Sequence, residues 1–269
     1  MMNPRFKVWC TVLIALLLVS CATVPLTQRQ QLTLIPEVEI LSMSFRQYEQ
    51  IKKESKLSAD REANALLQRV GGRIAAAADA FITELRLNLV MDWEFILIQD
   101  DETVNAWCMP GGKVAVYTGI LPYTQDETGL ATVIGHEVAH ALAQHGNERL
   151  SQGLLVQLGG LTLAKAMESK PRTTQNLWLQ AFGLGAQIGF LLPYSRTHEY
   201  EADRIGLILM ARAGYNPEEA VAFWERMSAG AGPKPPEFLS THPADKNRIA
   251  AMREHLPEAM RYYSNQETQ

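Results

Sequence analysis

"GHEVAHALAQH", residues 135–145, places two histidines four apart with a glutamate directly after the first. On a helix, residues four apart lie one turn above the other on a single face. His136 and His140 can therefore each offer a ring nitrogen to one zinc ion. Glu137 is turned by about 100° from His136, so it reaches a water at the metal rather than the metal itself. Zinc lowers the pKa of such a water to about 7, and an adjacent carboxylate can take the proton. The neighbours Val133, Ile134, Val138, Ala139, Ala141 and Leu142 are small or apolar. That predicts a buried helix, where two unpaired histidines would be costly and metal coordination would satisfy them.

A third ligand has to come from elsewhere. His145 is one residue short of the position ten after His136 that a longer three-histidine pattern requires, and Ala143 stands where that pattern has glycine. A second predicted helix, "SRTHEYEADRIG" (195–206), supplies the carboxylates Glu199, Glu201 and Asp203.

Further out, "SADREANALLQRVGGRIAAAADAF" (58–81) reads as a helix with Ser58 as its N-cap. The stretches 91–99 and 111–121 read as strands, with residues 100–110 as the loop between them. Residues 124–150 read as one long helix, with Thr124 and Glu127 as a capping box. Asn216 and Pro217 open a later helix, and His242, before Pro243, suits the N-cap of the last one. Few strands precede many helices, so the fold class is α+β, mostly helical.

The domain reading is a signal segment (1–20), a polar tether (21–57), a catalytic domain (58–262) and a C-terminal tail (263–269). Within the catalytic domain, 153–193 is an apolar helical insert, read as a hairpin over the active-site cleft, with contact to the membrane left open, rather than a membrane span. The chain has 269 residues, 47% hydrophobic, with a net charge of −4 and no basic run. Nucleic acid is therefore excluded as a partner.

The start has Arg5 and Lys7, then an apolar run at Val8–Val19, then "LLLVSCATV" (16–24). The run is short of the 18 to 20 residues, roughly, that a span needs. Its Leu-Val-Ser-Cys end resembles the lipobox of bacterial lipoproteins, which implies acylation at Cys21 and a membrane reached through that lipid. Ala22 after the cysteine resembles lipoproteins sent to the outer membrane. The expected location is therefore the periplasmic face of the cell envelope.

Four motifs occur in order: "NAWCMPGGKVAVYTGIL" (105–121), "GHEVAHALAQH", "SRTHEYEADRIG" and "STHPADKNRI" (240–249). Together they resemble the membrane-linked zinc endopeptidases that include HtpX, the CAAX prenyl endopeptidase and the mitochondrial Oma-type proteases. The resemblance covers residues 58 to 255 and is greatest to periplasmic lipoprotein members. It implies a gluzincin fold with a small sheet whose edge strand flanks the active-site helix, and one zinc held by two histidines and one glutamate. The implied activity is cleavage of misfolded or misassembled envelope proteins, with Glu137 as general base. The rival reading is an assembly factor or holdase for outer-membrane proteins that rarely cuts.

Helical geometry favours Glu199 as the third ligand. Two residues correspond to about 200° of rotation, so Glu199 and Glu201 face opposite ways. Asp203 shares a face with Glu199 and can hold the outer ring nitrogen of His136, as a carboxylate commonly does for a ligating histidine. Glu201 then turns away, toward Arg204 or Arg196. The resemblance implies that His242 faces the zinc, where it either stabilises the oxyanion or fills the metal's open position. It also implies that substrate adds as a strand beginning at Asn105 and Ala106, with Gly111 and Gly112 allowing close approach of its backbone.

Overall fold

The computed structural model describes residues 21–187, 191–229, 236–243 and 246–264. The expected signal segment, the Cys21 side chain on which acylation is expected and most of the expected C-terminal tail lie outside the described residues. The chain folds into two compact units, Met1–Ile40 with Gln144–Arg196, and Leu41–Ala143 with Thr197–Gln269.

In the first unit, β1 (Cys21–Thr23) pairs antiparallel with β2 (Gln30–Leu32), Cys21 opposite Leu32. The connection from β2 leads into α1 (Glu37–Glu54), which belongs to the second unit from Leu41 onward, an 18-residue helix over a stretch expected to be a polar tether. Its mean hydropathy is low, which hid it, but Tyr48 is fully buried and Ile40 nearly so. The first unit also holds α5 (His145–Ala166) and α6 (Arg172–Ala186), the expected pair of helices. Arg29 ties the β-hairpin to the base of α5 through two bonds to Glu148, at 2.8 and 2.7 Å.

The second unit carries a three-stranded sheet ordered β3–β5–β4: β3 (Glu94–Ile98), β4 (Ala106–Met109) and β5 (Lys113–Tyr117). β3 and β5 run parallel, and β4 pairs antiparallel with β5, Ala106 opposite Val116. β4 lies within the stretch expected to be a loop. Its four residues carry too little pattern to be read locally, and the ladder to β5 makes them a strand.

Two helices carry the core of this unit, α2 (Arg61–Glu84) and α4 (Glu127–Leu142). Asp60, not Ser58, caps α2, accepting from the N–H groups of Glu62 and Ala63. Ser58 instead accepts from Asp60 N–H at 3.2 Å, too early in the chain to cap. Thr124 likewise ends a short helix, α3 (Leu121–Thr124), and Asp126 caps α4 through Gly129 N–H. A side chain at Gly129 would put its Cβ 2.0 Å from the Thr124 carbonyl, so only glycine lets the chain turn that tightly. α4 is buried on every side from Gly129 to Leu142, packed on α2 and flanked by edge strand β4. It stops at Ala143 instead of running on, because Gln144 adopts a left-handed φ of 55°.

The rest of this unit is helical: α7 (Leu192–Arg212) from Thr197 onward, α8 (Glu218–Ala229), α9 (Glu237–Thr241) and α10 (Lys246–Ser264). Asn216 caps α8 by accepting from Glu218 N–H. His242 does not open the last helix. It closes α9, its N–H donating to the Phe238 carbonyl at 2.8 Å.

Candidate metal centre

Glycine brings the two motif helices together. At the crossing of α4 and α7, a Cβ on Gly206 would sit 3.2 Å from His136 N, and one on Gly135 would sit 3.3 Å from Gly206 O. With the backbones this close, the carboxylates of α7 reach the histidines of α4.

Four buried residues then converge: His136, His140, Glu199 and His242, with one donor atom from each within 4.8 Å of the others. His136 Nε2 lies 3.1 Å from His140 Nε2 and 3.2 Å from His242 Nδ1. Glu199 spans the group, with Oε2 3.3 Å from His136 Nε2 and Oε1 3.4 Å from His140 Nε2. Its Oε2 is also 3.0 Å from His242 Nδ1. Tetrahedral zinc with bonds of about 2.0–2.1 Å sets its ligand atoms about 3.3 Å apart, so this donor set fits zinc in both chemistry and spacing.

The surrounding charges point the same way. Asp203 Oδ1 lies 3.0 Å from His136 Nδ1, which fixes that ring with Nε2 facing the cluster. Burial works against a charged His136, but Asp203 and Glu199 outweigh it and lift its pKa to about 9. Burial alone would raise the pKa of Glu199, yet the three histidines hold it well below the usual carboxylate range.

Glu137 lies beside this cluster. It is buried, and its Oε1 has no hydrogen-bond partner although His242 Nε2 is 3.4 Å away. Neither His145 nor Glu201 belongs to the four donors, and Arg204, one suggested partner of Glu201, pairs with Glu258 at 2.8 Å.

The expected substrate residues are placed less uniformly. Ala106 begins β4, which among the described residues has a strand neighbour only on its β5 side. Asn105 accepts from Ala106 N–H through its side chain and donates to Glu237 at 3.2 Å, joining this edge to α9. Gly111 and Gly112 have another reason to be glycine. They form the β4–β5 turn with φ of 86° and 81°. The space beside them is taken by Phe45 and Trp93, whose ring atoms would lie 2.5 and 2.7 Å from an added Cβ.

Sequence reasoning missed the residues behind the four converging donors. Arg248, on α10 and 2% exposed, donates to both oxygens of Asp203 at 2.6 and 2.7 Å. It also lies 3.0 Å from Glu199. Its guanidinium sits 3.9 Å over the Trp224 ring, and Trp224 meets His136 edge-on at 5.5 Å. Phe238 stacks on Trp224 and touches His242. The only sequence signal was that Arg248 lies near the end of the "STHPADKNRI" motif.

The family model for Peptidase family M48 matches residues 61–256. The chain belongs to Peptidase family M48. It carries a metallopeptidase domain of a family that uses zinc. Among its relatives is the mitochondrial metalloendopeptidase OMA1 of Schizosaccharomyces pombe, 42% identical over 63% of this chain and 48% of that protein. Human OMA1 is 31% identical over 88% of this chain and 46% of its own length. The beta-barrel assembly-enhancing protease of Escherichia coli is 30% identical over 60% of this chain and 34% of its own. The chain thus spans half or less of the curated relatives it matches. These relatives correct the expected location. The OMA1 proteins, of higher identity than the Escherichia coli relative, are mitochondrial, so a periplasmic outer-membrane site does not follow from the relationship.

Proposed function

We propose that this chain is an endopeptidase that hydrolyses peptide bonds in misfolded or misassembled polypeptides, with water as the nucleophile. The observation that carries the reading is the buried, unpartnered Glu137 oxygen beside four converging donors. His136, His140 and Glu199 would hold the zinc. Bound there, the metal supplies a Lewis acid that acidifies water and polarises a carbonyl. Glu137 then takes the proton of the attacking water and passes it to the leaving amine. Asp203, clamped by Arg248, keeps His136 in the tautomer that faces the cluster. The free edge of β4 beside α4 suits an extended substrate segment held through main-chain bonds.

His242 can serve this chemistry in two ways. Its Nε2 faces Glu137, where it can donate to the developing oxyanion. Its Nδ1 lies within the donor set, where the ring can act as a fourth ligand and block water. A lipid anchor at Cys21 belongs to the same proposal, supported by the basic, short apolar start that ends in Leu-Val-Ser-Cys.

Purified chain should cleave casein, lose this activity to a chelator and regain it with zinc. Glu137→Gln should keep its zinc and lose about 10²–10⁴ in rate. In the same assay His242→Ala should keep zinc. A fall in rate assigns it to the oxyanion, and a rise assigns it to blocking. The relative named a beta-barrel assembly-enhancing protease favours a second reading, an assembly factor. Suppression of aggregation that survives both chelation and Glu137→Gln, with no casein cleavage, would establish that reading instead.

A further inference from the structure

The α5–α6 pair turns several of its large apolar side chains outward. On α5, Leu150, Leu154, Leu158 and Leu161 are all exposed, the last two at 58% and 61%. They recur every three or four residues, so they form one stripe about 16 Å long. On α6, Leu177, Trp178 and Leu184 are exposed at 66%, 55% and 60%. The inner faces need little of this bulk, because Gly159 lies against Phe182, whose ring would be 2.8 Å from an added Cβ.

Charge is distributed to match. No charged residue falls between Glu148–Arg149 and Lys165, nor between Arg172 and Arg196. The end of α5, the turn and the first residue of α6 carry Lys165, Lys170 and Arg172 against the single acid Glu168, which pairs with Lys165. Exposed leucines, an exposed tryptophan and basic residues at one end of the pair suit contact with the interface of an anionic bilayer. Among the described residues no helix is long and apolar enough to cross a membrane. The sequence that leads into this same unit, Val8–Val19, is itself an apolar run behind Arg5 and Lys7. It enters at β1, and the partner strand β2 packs against α5.

We propose that the outer face of the α5–α6 pair binds the surface of a lipid bilayer carrying anionic headgroups, with the leucines and Trp178 among the upper acyl chains. This contact is independent of any lipid on Cys21 and of proteolysis. The test uses the full chain with vesicles of phosphatidylcholine and phosphatidylglycerol in which the phosphatidylcholine is brominated along its acyl chains. Trp178 emission is read as the difference between the chain and Trp178→Phe, which removes any contribution from the N-terminal run. We expect that emission to shift to the blue and to be largely quenched, and the double variant Leu158→Glu/Leu161→Glu to lose both effects with its helix content intact. Unquenched Trp178 on a chain that still floats with the vesicles overturns the proposal. So does a blue shift that appears without lipid and grows with protein concentration, which would assign the face to a second copy of the chain.

Discussion

Helix α4 and the α5–α6 pair are neighbours in the chain and break the ordinary partition of residues in opposite directions. α4 buries His136, Glu137 and His140 among apolar neighbours, whereas α5 and α6 expose leucines and a tryptophan. In α4 the cost of burying polar groups is offset by partners brought from other parts of the fold: Glu199, Trp224, His242 and Arg248. In α5–α6 no comparable set of partners among the described residues covers the leucines. Polar groups placed inside and apolar groups placed outside both mark surfaces selected for something other than folding, but only the first kind is held by a network that single substitutions can destroy.

The sharpest break in that comparison is Glu199→Ala. It removes the bridging carboxylate, so metal content measured by atomic absorption should fall to background. Glu201→Ala, two residues along the same helix, should keep its zinc. The reverse result would reassign the ligand.

Arg248→Ala comes next. It leaves Asp203 and Glu199 buried without their cation, and breaking a buried pair costs about 3–5 kcal/mol. Urea unfolding of the metal-free protein should show a loss of that size, with Arg248→Met less affected if side-chain packing over Trp224 matters more than charge.

A smaller effect is expected where α4 meets solvent. Glu127 accepts from Arg69 at 3.0 and 3.1 Å and from Tyr215 at 2.7 Å, and these bonds hold its carboxyl below the ordinary value of 4.5. A depressed folded pKa means stability that is present above 4.5 and lost as pH falls through the folded value. Glu127→Gln should therefore cost about 1 kcal/mol at neutral pH and nothing in strong acid, by thermal unfolding across pH. A penalty independent of pH would show that the charge is not what matters.

The smallest effect belongs to the other region. Leu158→Glu on α5 should change stability by no more than about 0.5 kcal/mol, because the side chain is 58% exposed. A loss of several kcal/mol would mean that the leucine stripe is core, and the contrast between the two regions would fail.

The sequence by itself determined every relation that depends only on spacing along a helix. His136, His140 and the turned-away Glu137 are set relative to one another by 3.6 residues per turn, as are Glu199 and Asp203. No tertiary information was needed to see that each pair shares a face, or that the chain is mostly helical with a small sheet. Local competition was read less well, because Ser58 and Asp60, or Thr124 and Asp126, are equally good caps on paper, and the packed start of each helix chooses between them. Tertiary structure alone decided the rest. β4 exists because β5 supplies its ladder, and Gly111 and Gly112 are glycine because Phe45 and Trp93 crowd them. Arg248 matters because α10 returns, 45 residues after Asp203, to place a guanidinium on its carboxylate. Contacts of that separation leave no periodic mark in a sequence, since only the folded chain brings their two ends within reach.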